Sequence, residues 1–455
     1  MNFNYQYIFE SDDIDKDFSE FTCYFIFEGI EIFTQENNLI FKGQIELDGT
    51  NVTDTTTEIT AKSRLKVIAL LDVISFLIGT PITVYNMNTS NFSKVINEIV
   101  PLQKEHYFIY NNINIINDLD KILESLTKDR FLTASVLDKW NKANFLRKSD
   151  DSSVLYIDEA ILNYLHIFEL LSDTVKGDYK AKIDNEINRL LKIFFDRTSF
   201  DTDDKIKERI KGKKELTKEI LEVKFLSFKD KLKYFLKSNG LLDEDTSFLV
   251  DNLIKLRNDI AHGRMIRNMD VMAYPLTPFY NTSAKEGDLV NPLRVLTAVS
   301  ISKYIGINLW QNEWEEEKVL LQPSDTIIKK YLDNELLNFN INSENKFNIN
   351  WYSLFRFYIA GNSKMKRKIE QKVESELKTI PFEELSALDM YELAIVLSTT
   401  QDEQLLSIIK KIIKNAIRQI ESWSGNYKDI FNYLESRNYN TTEIQKVVKD
   451  IIKQI

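Results

Sequence analysis

Apolar positions change their spacing early in this chain. Between residues 22 and 47 they come in short aromatic and β-branched runs broken by Gly29 and Gly43. That pattern predicts strands at 22–27, 30–33 and 39–47, with Asp48-Gly49 as a hairpin-type turn. Over 61–78 the spacing becomes three and four: Leu65, Ile68, Ala69, Asp72, Ser75 and Phe76 fall on one side of a helix. Gly79-Thr80-Pro81 stops it, and further strands are expected at 82–85 and 106–110. Residues 1–125 therefore read as a compact α+β domain.

Beyond residue 125 the helical period prevails. It predicts helices at 132–146, then, after the polar break at 148–153 with Ser153 as a cap, one carrying Ile157, Ile161, Leu165, Phe168 and Leu171 on its buried side. Further helices are expected at 182–195, 216–237, 247–262 and 292–310, closing a central helical domain over 126–322. Asp245-Thr246-Ser247 caps the 247–262 helix, which buries Val250, Leu253, Ile254 and Ile260. The long stretch at 263–291, with Arg264, Arg267, Tyr274 and Tyr280, reads as a substrate-holding loop. The acidic run at 313–317 and Gln322-Pro323 mark a boundary. Residues 323–455 form a third, helical region, with helices at 327–337, 352–359, 364–378, 381–397 and 403–423. The fold class expected is α+β, predominantly α.

Composition narrows the chemistry. One cysteine, Cys23, excludes an internal disulfide and fits a reducing cytoplasm. One cysteine and three histidines (His106, His166, His262) are poor material for structural zinc, and neither a metal nor a cofactor is assigned. The N-terminus is polar and acidic, unlike a secretory leader, and the apolar run at 67–78 is too short to span a bilayer, so a soluble protein is expected. A net charge of −10 argues against a general nucleic-acid coat. The charge is uneven, however: residues 205–237 hold twelve Lys or Arg against five Asp or Glu. Lys211, Lys213 and Lys214 are the candidate phosphate contacts there, and a solvated lysine face is the plain alternative. The basic run at 364–368 has the same two readings.

The candidate site is Arg257-Asn258-Asp259-Ile260-Ala261-His262-Gly263. Asn258 and His262 are four apart and share a helix face. Arg257 lies about 140° around from His262, and its long planar fork can reach back towards a shared anion. Gly263 reads as the helix stop, placing His262 on the last turn, where a histidine can pass protons near neutral pH.

This heptad resembles the Arg-x4-6-His signature of the HEPN superfamily, helical domains that include many metal-independent ribonucleases of defence and toxin systems. The match is carried by Arg257, the polar Asn258 and His262, within helices that cover about a third of the chain. The resemblance implies an endoribonuclease that attacks through the ribose 2′-hydroxyl and leaves 2′,3′-cyclic phosphate ends. His262 would act as acid or base, Arg257 would hold the phosphate, and Asn258 would orient it. It also implies RNA, such as tRNA, as substrate; a homodimer with two facing motifs; and a role in abortive infection with a phage-encoded trigger. A non-catalytic HEPN-like dimerisation or nucleotide- or RNA-binding scaffold is the alternative.

Toxins of this superfamily that are controlled by nucleotidyltransferases carry a tyrosine two residues after the histidine. Here that position is Arg264, so that mode of control is not supported, and the arginine is a candidate RNA contact. Glu169 is a candidate supporting partner from the first helix of the central domain. His166, one residue off the buried stripe of that helix, reads as structural. His106 has no motif around it, and Cys23 reads as core. Walker A, dinucleotide, His-Glu-x-x-His and Gly-x-Ser-x-Gly motifs are absent from the sequence.

Overall fold

The computed structural model describes residues 2–10, 20–47, 55–95, 105–148, 156–198, 202–220, 227–262, 284–321, 323–336, 339–343, 347–419, 427–436 and 438–454. Asp48-Gly49, Ser153 and the whole of 263–283, with Gly263, Arg264 and Arg267, lie outside them. The fold is α+β and predominantly helical. The strands are β1 (Asn2–Phe9), β2 (Phe21–Phe27), β3 (Ile30–Gln35), β4 (Asn38–Glu46), β5 (Met87–Lys94), β6 (Tyr107–Tyr110) and β7 (Ile113–Asn114). The helices begin with α1 (Thr55–Ile78), α2 (Ile116–Lys128), α3 (Arg130–Lys148), α4 (Ile157–Thr174), α5 (Lys176–Thr198) and α6 (Asp203–Ile220). They continue with α7 (Phe228–Ser238), α8 (Glu244–Ala261), α9 (Ala284–Ile305), α10 (Gln311–Leu320), α11 (Asp325–Leu332) and α12 (Trp351–Ala360). The last five are α13 (Ser363–Thr379), α14 (Tyr391–Val396), α15 (Glu403–Gln419), α16 (Tyr427–Ser436) and α17 (Thr442–Ile452). The chain divides into two compact units. The first comprises Met1–Leu242 and Leu293–Trp314; the second comprises Asp243–Pro292 and Glu315–Ile455.

In the first unit one sheet runs β5-β1-β4-β3-β2-β6-β7, with antiparallel neighbours throughout. Its tight turns at Glu28-Gly29, Glu36-Asn37 and Asn111-Asn112 hold both residues at positive φ, as two-residue hairpins with right-handed twist require. Gly43 pairs with Tyr5 across β4 and β1, and the Tyr5 ring lies where a Cβ would stand. The helix α1 is tied to the sheet by Tyr7 Oη and Ser63 Oγ, 2.7 Å apart and buried. It ends at Gly79 (φ +71), over which the Trp310 indole packs. Phe76, Trp140 and Trp310 meet ring to ring beneath it. The three-residue turn at 80–82 is fixed by Ser75 Oγ, which accepts from the Ile82 N–H at 2.9 Å. The Asn141 amide donates at once to the Ile82 carbonyl (2.9 Å) and to Asp72 Oδ1 (2.7 Å).

The second unit is helical. Ile328, Leu354, Ile369, Val373, Leu393, Ile409, Ile412, Ile413 and Val448 are wholly or almost wholly buried in one continuous core. Two of the four basic residues of the 364–368 run on α13 engage their own chain, Lys366 over the Tyr439 ring at 4.2 Å and Lys368 paired with Asp333, while Lys364 and Arg367 are exposed.

Several expected elements fall elsewhere. Residues 82–85 form no strand; Thr83 caps a short 3-10 turn, Val84–Asn86, and β5 follows it. The helix expected over 216–237 is two helices, because Ser227 is extended (φ −67, ψ 156) and its hydroxyl accepts from the Asp230 N–H to start α7. Residues 284–291 open α9, with Pro292 inside it, rather than closing a loop. The acidic run at 313–317 sits within α10, anchored by the buried Trp314. The stretch 381–397 holds a 3-10 turn, Phe382–Glu384, and the short α14 in place of one long helix.

Candidate functional site

The helix α8 begins one turn earlier than the Asp245-Thr246-Ser247 reading places it. Asp243 is extended, and its carboxylate accepts from the Thr246 N–H at 2.8 Å, satisfying one of the unpaired donors of the first turn. Lys318 closes on the same carboxylate at 2.7 Å. Burial pushes the Asp243 carboxyl up, but Lys318 and the Thr246 N–H outweigh it and hold it below its ordinary range. Burial pulls the Lys318 ammonium down, and Asp243 more than reverses this.

Thr246, Leu249, Val250 and Leu253 are buried, while Ile254 and Ile260, expected in the core, are half-buried. Steps of three and four from Val250 and Leu253 lead to Arg257, so the arginine continues the buried stripe and is itself half-buried. Lys255, Asn258 and His262 lie on the other side and are exposed. The helix closes at His262, whose backbone (φ −91, ψ 9) leaves the helical ladder while its N–H still reaches the Asn258 carbonyl at 3.1 Å. Arg257 Nη1 and Asn258 Oδ1 stand 3.4 Å apart, a long contact for a hydrogen bond. The result is a guanidinium carried by a half-buried arginine, an amide in touch with it, and an imidazole on an exposed helix end. Such a set offers phosphate-binding donors and a proton-transfer group within a turn and a half.

The other candidates lie on elements of the first unit. Lys211 and Lys213 are exposed on α6, whereas Lys214 turns inward to pair with Asp184 of α5 at 3.2 Å. Glu169 and His166 are half-buried on α4. His106 is exposed, with its ring 6.3 Å from that of Tyr24. Cys23 is fully buried in β2, and burial pushes its thiol up. Among the described residues no group of three or more His, Cys, Asp and Glu is arranged to hold a metal, and no helix is long and apolar enough to cross a membrane. Comparison with family models, with curated proteins and with solved structures finds no match.

Proposed function

We propose that this chain is a metal-independent endoribonuclease of HEPN type, with Arg257, Asn258 and His262 as its reacting groups. The observation that supports the reading is the end of α8, where an exposed histidine terminates a helix whose last two turns also present Arg257 and Asn258. His262 takes the proton of a ribose 2′-hydroxyl, and that oxygen attacks the adjacent phosphorus. The bond from phosphorus to the 5′-oxygen breaks, the leaving oxygen takes a proton from water, and a 2′,3′-cyclic phosphate remains. Arg257 neutralises the charge that builds on the phosphoryl oxygens, as a planar bidentate donor can.

The substrate is RNA, with tRNA a candidate. Lys211 and Lys213 add contacts to phosphates without reading sequence. Two copies of the motif form a composite site in a homodimer. The enzyme works in the cytoplasm as an abortive-infection effector whose basal cutting, visible on overexpression or at high concentration, is raised by a phage product.

Induced expression in a bacterial host tests this. The wild-type chain is expected to arrest growth, and Arg257→Ala and His262→Ala are each expected to restore it while accumulating as folded protein of the same oligomeric state. Variants as toxic as the wild type would overturn the reading in favour of a non-catalytic scaffold.

A further inference from the structure

The two edges of the seven-stranded sheet are unlike. At one lies β7, only two residues long, and an edge that short offers little to another strand. At the other lies β5, eight residues long, with β1 on one side of it. It contains neither proline nor glycine, and its one charged residue, Lys94, is its last. The one irregularity in its register falls at Met87 and Asn88, so residues 89–94 run regularly along β1. The devices that ordinarily blunt an open edge are therefore absent from most of its length.

The register shows which main-chain groups point outward. The Val95 N–H donates to the Asn2 carbonyl of β1 at 3.0 Å. Counting back by twos, Ser93, Asn91 and Thr89 direct their N–H and C=O groups towards Asn4, Gln6 and Ile8 of β1. Ser90, Phe92 and Lys94 direct theirs away from the sheet, and among the described residues no hydrogen bond reaches those groups. Ser90 and Lys94 are exposed, so this edge stands open to solvent.

The charges at its ends select the strand that fits. Lys94, at one end, makes no ion pair among the described residues. At the other end Glu10 follows β1; its carboxylate accepts from the Asn88 amide, and its N–H reaches the Asn86 carbonyl at 2.9 Å. Two copies of β5 laid antiparallel bring the positive end of each beside the negative end of the other, whereas a parallel pairing sets lysine beside lysine. Antiparallel pairing is also the kind this sheet uses throughout.

We propose that β5 pairs with β5 of a second copy of this chain, about a two-fold axis at Asn91, so that two sheets become one. Opposite residues of an antiparallel pair share a face of the sheet, so even positions meet even and odd meet odd. With Asn91 on the axis, Ser90 of each copy faces Phe92 of the other. Both point their main-chain groups outward, and they exchange hydrogen bonds across the junction. Lys94 of each copy faces Asn88 of the other, which sets its ammonium beside Glu10. The pairing uses no residue of α8 and stands whether or not the ribonuclease reading holds.

Sedimentation of the full chain over a range of concentrations tests it. The wild type is expected to self-associate, and Ser90→Pro to halve the mass reached. Proline there removes an outward N–H and no bond to β1, and its ring blocks the incoming strand; Ser90→Ala should associate as the wild type does. Lys94→Glu should weaken association by about tenfold, and adding Glu10→Lys should restore it. Asn91→Cys should form a disulfide between copies under mild oxidation, because opposite residues that exchange no hydrogen bond stand close enough for one; Ser93→Cys, facing Thr89, should not. The buried Cys23 does not compete. The cross-link should form equally in the presence of Arg257→Ala, which separates this junction from the end of α8. If Ser90→Pro fails to fold, Lys94→Glu and its reversal carry the test, since Lys94 and Glu10 are both exposed. A wild type that stays monomeric up to its solubility limit would overturn the proposal and leave the edge to a strand of another protein. Association undiminished in both Ser90→Pro and Lys94→Glu, or an Asn91→Cys variant that does not cross-link, would overturn it too.

Discussion

Asp72 should make the first unit less stable as pH rises, and Asp72→Asn should remove that dependence. The carboxyl is 3% exposed on α1, with the Asn141 amide 2.7 Å from one of its oxygens. Burial pushes its pKa up to about 8; the Asn141 hydrogen bond opposes this, Asp138 adds to it, and Lys142 opposes it. In the unfolded chain the group titrates near its ordinary value of about 3.9. Below that pH both states hold the proton, and the residue costs nothing. Between about 4 and about 8 the unfolded chain releases the proton while the folded protein keeps it, so each pH unit lowers stability by about 1.4 kcal/mol. At pH 7 the cost is about 4 kcal/mol, and the slope ends once the folded carboxyl ionises.

Asparagine cannot ionise, and its carbonyl still accepts from Asn141. Its new amide hydrogens need an acceptor, and Asn141 Oδ1, buried and without an aligned partner, is the nearest in kind. Allowing about 1 kcal/mol for an imperfect bond leaves a gain of about 3 kcal/mol at pH 7 and a loss of about 1 kcal/mol at pH 4. Urea unfolding at a series of pH values checks this, with hydrogen exchange in α1 and α3 reporting on the first unit alone. A wild-type stability that is flat or rises from pH 5 to 8, or a variant curve parallel to it, would refute the reasoning.

Two other substitutions test particular contacts. Gly79→Ala places a Cβ 2.8 Å from Trp310 Cη2 at a positive φ, and should destabilise the first unit by about 1–3 kcal/mol; an unchanged melting temperature would contradict it. Asp243→Ala removes the cap of α8 and the partner of Lys318, and should cost about 1–2 kcal/mol, seen as faster amide exchange in the first turn of α8. Unchanged exchange there would show that the cap is not what starts the helix.

How much of this was legible in the sequence depended on whether a residue's partners were local. Short apolar runs located β2, β3 and β4 to within two residues, because each has a core on one face. The strand β5 gave no such signal. It lies at the sheet edge beside β1 alone, and none of its residues is buried, so polar residues fill both faces. The start of α7 was hidden because Ser227 sits among Phe225, Leu226 and Phe228, where apolar residues on both sides mask a cap. Trp314, one apolar anchor in a run of glutamates, similarly concealed α10. The spacing of Arg257, Asn258 and His262 was plain. That Arg257 continues the stripe through Val250 and Leu253 was also written in the sequence, but reading it required the phase of α8.

The ribonuclease reading meets its most direct test in end-group analysis of RNA. Purified wild-type protein and its His262→Ala variant would be incubated with total RNA and with tRNA in EDTA. Cleavage by the wild type that leaves 2′,3′-cyclic phosphate and 5′-hydroxyl ends, and that falls by about a hundredfold or more in the variant, is the expected result. Cleavage that requires a divalent ion, leaves other ends, or persists in His262→Ala would contradict it.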